Sequence, residues 1–94
     1  LEQYKEYKWR LPLMYDIQYL KQRKLLMLLL TDRLEEIGKC TGERAGEIRQ
    51  IVNVQNDLLG KIYGNLQKGL GIEQESFDEM ARLESTLAEI LCIS

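Results

Sequence analysis

Histidine is absent from this 94-residue chain, and cysteine, proline, tryptophan and phenylalanine are nearly so, at two, one, one and one residues. Without histidine the chain loses the commonest general base and the usual partner of a Ser or Cys nucleophile. It also loses the commonest nitrogen ligand, and two thiols are too few for a structural zinc site within one chain. No metal and no cofactor are therefore expected. Cys40 and Cys92 lack CxxC spacing and fall near expected helix ends. Two reduced, partly buried thiols are the expected state, with a disulfide the other arrangement open to them, and reduced thiols point to the cytoplasm.

Long hydrophobic runs are missing too. The longest, Leu25-Leu26-Met27-Leu28-Leu29-Leu30, falls well short of the roughly 20 apolar residues a bilayer span needs, so no membrane segment is expected. Residues 1–10 are too charged for a secretory signal core. The chain opens on Leu1 rather than Met, as a processed or excised piece would. There is no GxxxxGK[ST], and no strand on which a GxGxxG could sit. Adjacent carboxylates such as Glu35-Glu36 and Asp78-Glu79 diverge by about 100° on a helix and read as surface charge. An all-α enzyme can work with Arg, Lys and Glu alone, as the helical chorismate mutase dimers do. That pattern wants a second arginine far upstream of Arg33 on the first helix, where this chain has Asp16. No enzyme is expected.

What the chain does have is apolar residues at 45%, charged residues at 30%, and a net charge of −2. That balance is globular and helical, enough for one domain with one modest core. Charge is uneven along it. Residues 1–24 carry six cations against three anions, and residues 73–94 carry Arg82 against six acids. Opposite signs at opposite ends favour docking of the first segment on the last, within or between chains. Lys5, Lys8, Arg10, Lys21, Arg23 and Lys24, interleaved with Tyr4, Tyr7 and Trp9, are the only candidate basic face. The acidic balance of the whole argues against nucleic acid as a partner.

The organising stretch is the six-residue apolar run. Six positions at 100° cover every side of a helix, so this segment needs apolar neighbours on more than one flank. Residues 1–12 read as a short helix or an aromatic arm, with Pro12 marking a kink or a first-turn start. A helix is expected over 13–39, striped by Leu13, Ile17, Leu20, Met27, Leu30, Leu34 and Ile37. Lys24 interrupts that stripe, Leu25, Leu28 and Leu29 open a second face, and Gly38 weakens the end. Thr41-Gly42 closes the first hairpin. A second helix over 43–68 carries Ile48, Ile51, Val52, Gln55, Leu58, Leu59, Ile62 and Leu66, with Gln55 the one polar member and a candidate for fixing register. Gly60 and Gly64 form a GxxxG, weak evidence in a water-soluble setting. Gly69-Leu70-Gly71 ends that helix. Ser76 with Glu79 reads as a capping box opening a third helix over 76–92.

The fold class expected is all-α, one domain over 1–94, an antiparallel three-helix up-down-up bundle. Three stripes around an all-round apolar stretch leave it under-covered, and self-association or a partner helix would complete it. The layout of Leu29-Leu30-Thr31-Asp32-Arg33-Leu34-Glu35-Glu36-Ile37, a short turn, then Glu47-Ile48-Arg49-Gln50-Ile51-Val52-Asn53-Val54-Gln55-Asn56-Asp57-Leu58-Leu59-Gly60-Lys61-Ile62 resembles the FlgN/FliT type of flagellar export chaperone over about residues 20–66. The chain is short for that family, and its Tyr/Trp arm has no counterpart in it. The resemblance implies a cytoplasmic holder of export substrates. Its last helix, through Phe77, Met80, Leu83, Leu87, Ile90 and Leu91, would engage a client's amphipathic helix in helix-in-groove fashion. The alternative is a structural or oligomerisation domain of a larger assembly, with no client. A homo-oligomer is expected in either case.

Overall fold

The computed structural model describes residues 2–92, with side chains from Arg10 to Leu91. Three helices account for nearly all of it: α1 (Glu2–Glu36), α2 (Gly42–Gln67) and α3 (Gln74–Cys92). At 1.5 Å per residue α1 alone is about 52 Å long, and it sets the long dimension of a 56 × 21 × 18 Å molecule. The N-terminal half of α1 packs with the C-terminal half of α2 and the start of α3; the other ends meet likewise. The bundle is therefore up-down-up, with α2 backed by both neighbours.

The first helix begins eleven residues before its expected start, running straight through Pro12. The prolyl ring denies one amide to the Lys8 carbonyl, a local loss that a helix anchored on both sides survives. The aromatic arm is thus helical in its backbone; the side chains of Tyr4, Tyr7 and Trp9 lie outside the described residues. At its other end α1 stops at Glu36, short of Lys39. Gly38 adopts a φ of +77°, and its amide bonds the Glu35 carbonyl at 3.1 Å while the Lys39 amide bonds that of Leu34 at 2.8 Å. That is a Schellman stop, and Gly38 is its left-handed residue rather than a weak helical one. Gly69 (φ +82°) ends α2 the same way, with Gly69 bonded to Leu66 at 3.1 Å and Leu70 to Asn65 at 2.8 Å.

Thr41 caps α2, its hydroxyl accepting from the Arg44 amide at 3.2 Å. Helix α3 opens two residues before the expected box. The Phe77 amide already bonds the Glu73 carbonyl, so Ser76 sits buried in the first turn and Glu79 pairs with Arg82 instead. Nothing but the Lys21 ammonium approaches Gly60, and open space faces Gly64. No close backbone contact rests on the GxxxG.

The core divides into two apolar clusters. One gathers Ile17, Leu59, Ile62 and Leu66 with Leu13, Leu20, Ile72 and Met80 around them. The other gathers Ile48, Val52 and Leu87 with Met27, Leu28, Ile51 and Ile90. Helix α1 enters this core through Ile17, Lys24 and Thr31, seven apart, flanked by Leu13, Leu20, Met27 and Leu34. Two members of the expected stripe do not enter. Leu30 and Ile37 are 58% and 49% exposed, because each lies a further 60–80° round the helix from Met27 and so passes the edge of the packed face. Thr31 takes the inward place, its hydroxyl bonded to the Met27 carbonyl at 2.7 Å.

Candidate functional site

The six-residue apolar run is split by the packing. Met27 and Leu28 turn inward, whereas Leu25, Leu26, Leu29 and Leu30 are each more than half exposed. They do not stand alone. Tyr15, Tyr19, Leu26, Leu30 and Ile37 all lie within about 40° of the direction opposite Ile17, with Leu11 and Leu29 within about 60°. Every one of these side chains is exposed, Tyr15 at 74%. The back of α1 is therefore a continuous apolar band about 39 Å long from Leu11 to Ile37. Its polar members are Gln22, Arg23, as far from the band's midline as Leu29, and Arg33, which reaches Glu36 at 3.4 Å across the surface. The Arg23 guanidinium lies 5.9 Å from the Tyr19 ring centre, a cation–π contact at the band's edge.

The six residues that the resemblance singles out on α3 are distributed differently. Leu83 and Leu87 are buried, Met80 and Ile90 are half-buried, and Phe77 and Leu91 are exposed. Three of the six, Met80, Leu87 and Ile90, therefore belong to the two core clusters, and Leu83 is buried beside them. A client could reach that stripe only after α3 had left the bundle. Phe77 instead borders a wholly apolar cavity of about 220 Å³, walled by Leu13, Ile17, Leu20, Leu59, Ile62, Ile72 and Met80.

Between the clusters lies a polar layer. The Lys24 ammonium, on a residue 5% exposed, pairs with the Glu84 carboxylate. The fully buried Gln55 donates its Nε2–H to the same oxygen, Glu84 Oε1, at 2.8 Å. One residue from each helix thus meets at a single carboxylate. Partial burial pushes the Glu84 carboxyl up, but the bonds from Lys24 and Gln55 outweigh it and hold the group below its ordinary value. Among the described residues Gln55 Oε1 has no hydrogen-bond partner. A carboxylate held ionised this way is a poor proton carrier near neutral pH, so the layer fits a structural clamp better than acid–base chemistry. Lys24–Glu84 is also the kind of contact that the opposite charges of the chain's two ends favour.

A second tie joins α1 to α2. Arg49 donates Nε–H to Asp32 Oδ1 at 2.8 Å and Nη2–H to Glu35. Bonding to Glu35 first, then to Asp32, raises the Arg49 pKa above its ordinary value. The group is on the surface, where solvent and salt screen such pairs. Cys40 is a free thiol, half-buried in the turn after α1. No helix among the described residues is long and apolar enough to cross a membrane.

Comparison with known proteins finds no match among family models, curated proteins or solved structures.

Two of these features could be read from the sequence. Lys24 stood out as a gap in the first stripe and Gln55 as the polar member of the second. Their common partner Glu84 stands on the α3 stripe, one heptad from Phe77 and Leu91, where the spacing leaves Leu83 or Glu84 as its member; that it meets Lys24 and Gln55 depends on how the helices are packed. The back face of α1 was half-visible, in the leucines beyond the stripe; its continuation through Tyr15 and Tyr19 was not.

Proposed function

We propose that this chain is a helical protein–protein interaction module, and that its working surface is the back of α1. The observation that carries this reading is the exposure of Leu26, Leu29 and Leu30 on a face already apolar through Tyr15 and Tyr19. An apolar band of this length accepts another helix along it, with anchors at i, i+3/4 and i+7. The more specific form is a cytoplasmic export chaperone of the FlgN/FliT kind, holding the amphipathic tail of a client. The free thiol of Cys40 fits a reducing compartment. Since Leu83 and Leu87 are committed to the core, the client surface moves in this reading from α3 to α1.

The test uses a fluorescent amphipathic peptide with leucines at helical spacing, together with a hydrophobic dye. Both should bind the dissociated chain at low concentration competitively, and Leu26→Glu with Leu30→Glu should abolish binding while helicity is retained. Binding untouched by those changes, but lost on truncation after Leu83, would return the site to α3. The second reading, an oligomerisation domain without a client, is favoured by one property of the same band, its match to itself.

A further inference from the structure

We infer that the back of α1 docks on the same face of a second copy of this chain, antiparallel, about a two-fold axis passing near Leu26. The inference rests on the reading of that face as the interaction surface and names its occupant. Area comes first. Taking about 170 Å² for a large apolar side chain when free, the exposed band residues from Leu11 to Ile37 present roughly 700 Å². A typical monomer's largest apolar patch is about 300–600 Å². Two copies face to face would bury at most about 1,400 Å², within the size range of a standard specific interface.

Chemistry then sets the orientation. Tyr15, Tyr19, Gln22, Leu26, Leu29 and Arg33 follow one another at alternating spacings of four and three, the seam of a two-stranded helical pair. Parallel pairing would lay Arg33 on the partner copy's identical arginine, like charge on like charge. Antiparallel pairing about Leu26 lays Arg33 against the tyrosine end of the other copy, where the Tyr19 ring already attracts a guanidinium, that of Arg23. Leucine then meets leucine at the centre, Asp32 falls opposite Leu20, and Asp16 falls level with Glu36 at the outer margin of the pair. The antiparallel arrangement avoids setting Arg33 on its own copy within the seam.

The whole chain, with Cys40→Ser and Cys92→Ser as background, is examined by light scattering over a wide concentration series and by mild oxidation. A dimer is expected. Leu26→Cys should cross-link to near completion, because the axis brings the two copies of that position together. Arg33→Cys should not, since seven residues on either side of the axis place that pair about 21 Å apart. Leu26→Glu should weaken association at least a hundredfold with helicity unchanged, and Leu26→Gln serves if the glutamate variant fails to fold. Cross-linking of Arg33→Cys would mean a parallel pair and overturn the proposal. So would a dimer indifferent to substitution at Leu26. A monomer at every concentration would overturn it as well. Peptide and dye binding by that monomer would then leave the interaction reading standing, and absence of binding would end both.

Discussion

Replacing Glu84 by alanine would remove the counter-charge of an ammonium on a residue that is only 5% exposed. It would also remove the acceptor of the buried Gln55 amide. Breaking a fully buried ion pair costs about 3–5 kcal/mol. Here the carboxylate side chain is 52% exposed, and the lysine stem can swing its head toward the adjoining cleft beside Leu20, Arg23 and Met27. Those facts reduce the charge contribution to about 1–2 kcal/mol, and the stranded amide donor adds about 1 kcal/mol. Glu84→Ala should therefore destabilise by about 2–3 kcal/mol. Lys24→Met is the informative opposite. Methionine fills a similar volume, Glu84 turns to water while keeping Gln55, and stability should stay within about 1 kcal/mol of the parent or rise. The double variant should recover most of the single loss. Urea titration followed by far-ultraviolet circular dichroism measures all three, at concentrations matched so that association is constant. The reasoning is refuted if Lys24→Met proves more damaging than Glu84→Ala, for then the lysine contributes by its charge and not by needing one.

The same layer predicts acid sensitivity. Glu84 has its pKa depressed in the folded state, so its stabilisation is complete above the unfolded value of about 4.3 and is lost as pH falls through the folded value; Glu84→Gln should flatten the stability profile over that acidic window. Leu87→Ala, at a side chain 2% exposed in the second cluster, should cost about 2–5 kcal/mol in denaturant titration, whereas Leu26→Ala at 63% exposure should change the unfolding of the dissociated chain by less than about 0.5 kcal/mol. Gly38→Ala meets no steric obstacle but retains φ +77°, which costs about 1–2 kcal/mol. Gly64→Ala, helical and facing open space, should stabilise by about 0.5–1 kcal/mol; a thermal melt of each variant shows whether the two shifts have opposite sign.

The number and order of helices were legible because apolar periodicity and glycine-bearing turns act over a few residues, and both are present in this chain. Helix ends were less so. Gly38 can be a weak helical residue or a left-handed stop, and the choice depends on whether Leu34 and Glu35 carbonyls find amides beyond it. Pro12 suggested a boundary on local grounds, yet one missing donor is small against a helix continuous on both sides. The α3 stripe reads the same whether it faces a client or its own bundle, since periodicity shows that a face is apolar and not what covers it. Conversely, the leucines at 25, 26, 29 and 30 read as greasy but gave no direction. The two turns at Tyr15 and Tyr19 that extend them into a surface became visible only once Ile17, Lys24 and Thr31 fixed the inward side.

The meeting of three helices at one carboxylate also limits how the bundle can move. Sliding α3 by one heptad along its neighbours would bring Phe77 or Leu91 to the place of Glu84, setting a hydrocarbon against the Lys24 ammonium. Translation along the axis is thus disfavoured at its first step. What motion α3 retains must be a swing about the 68–73 connection, and a swinging helix uncovers the whole of its apolar side at once or not at all.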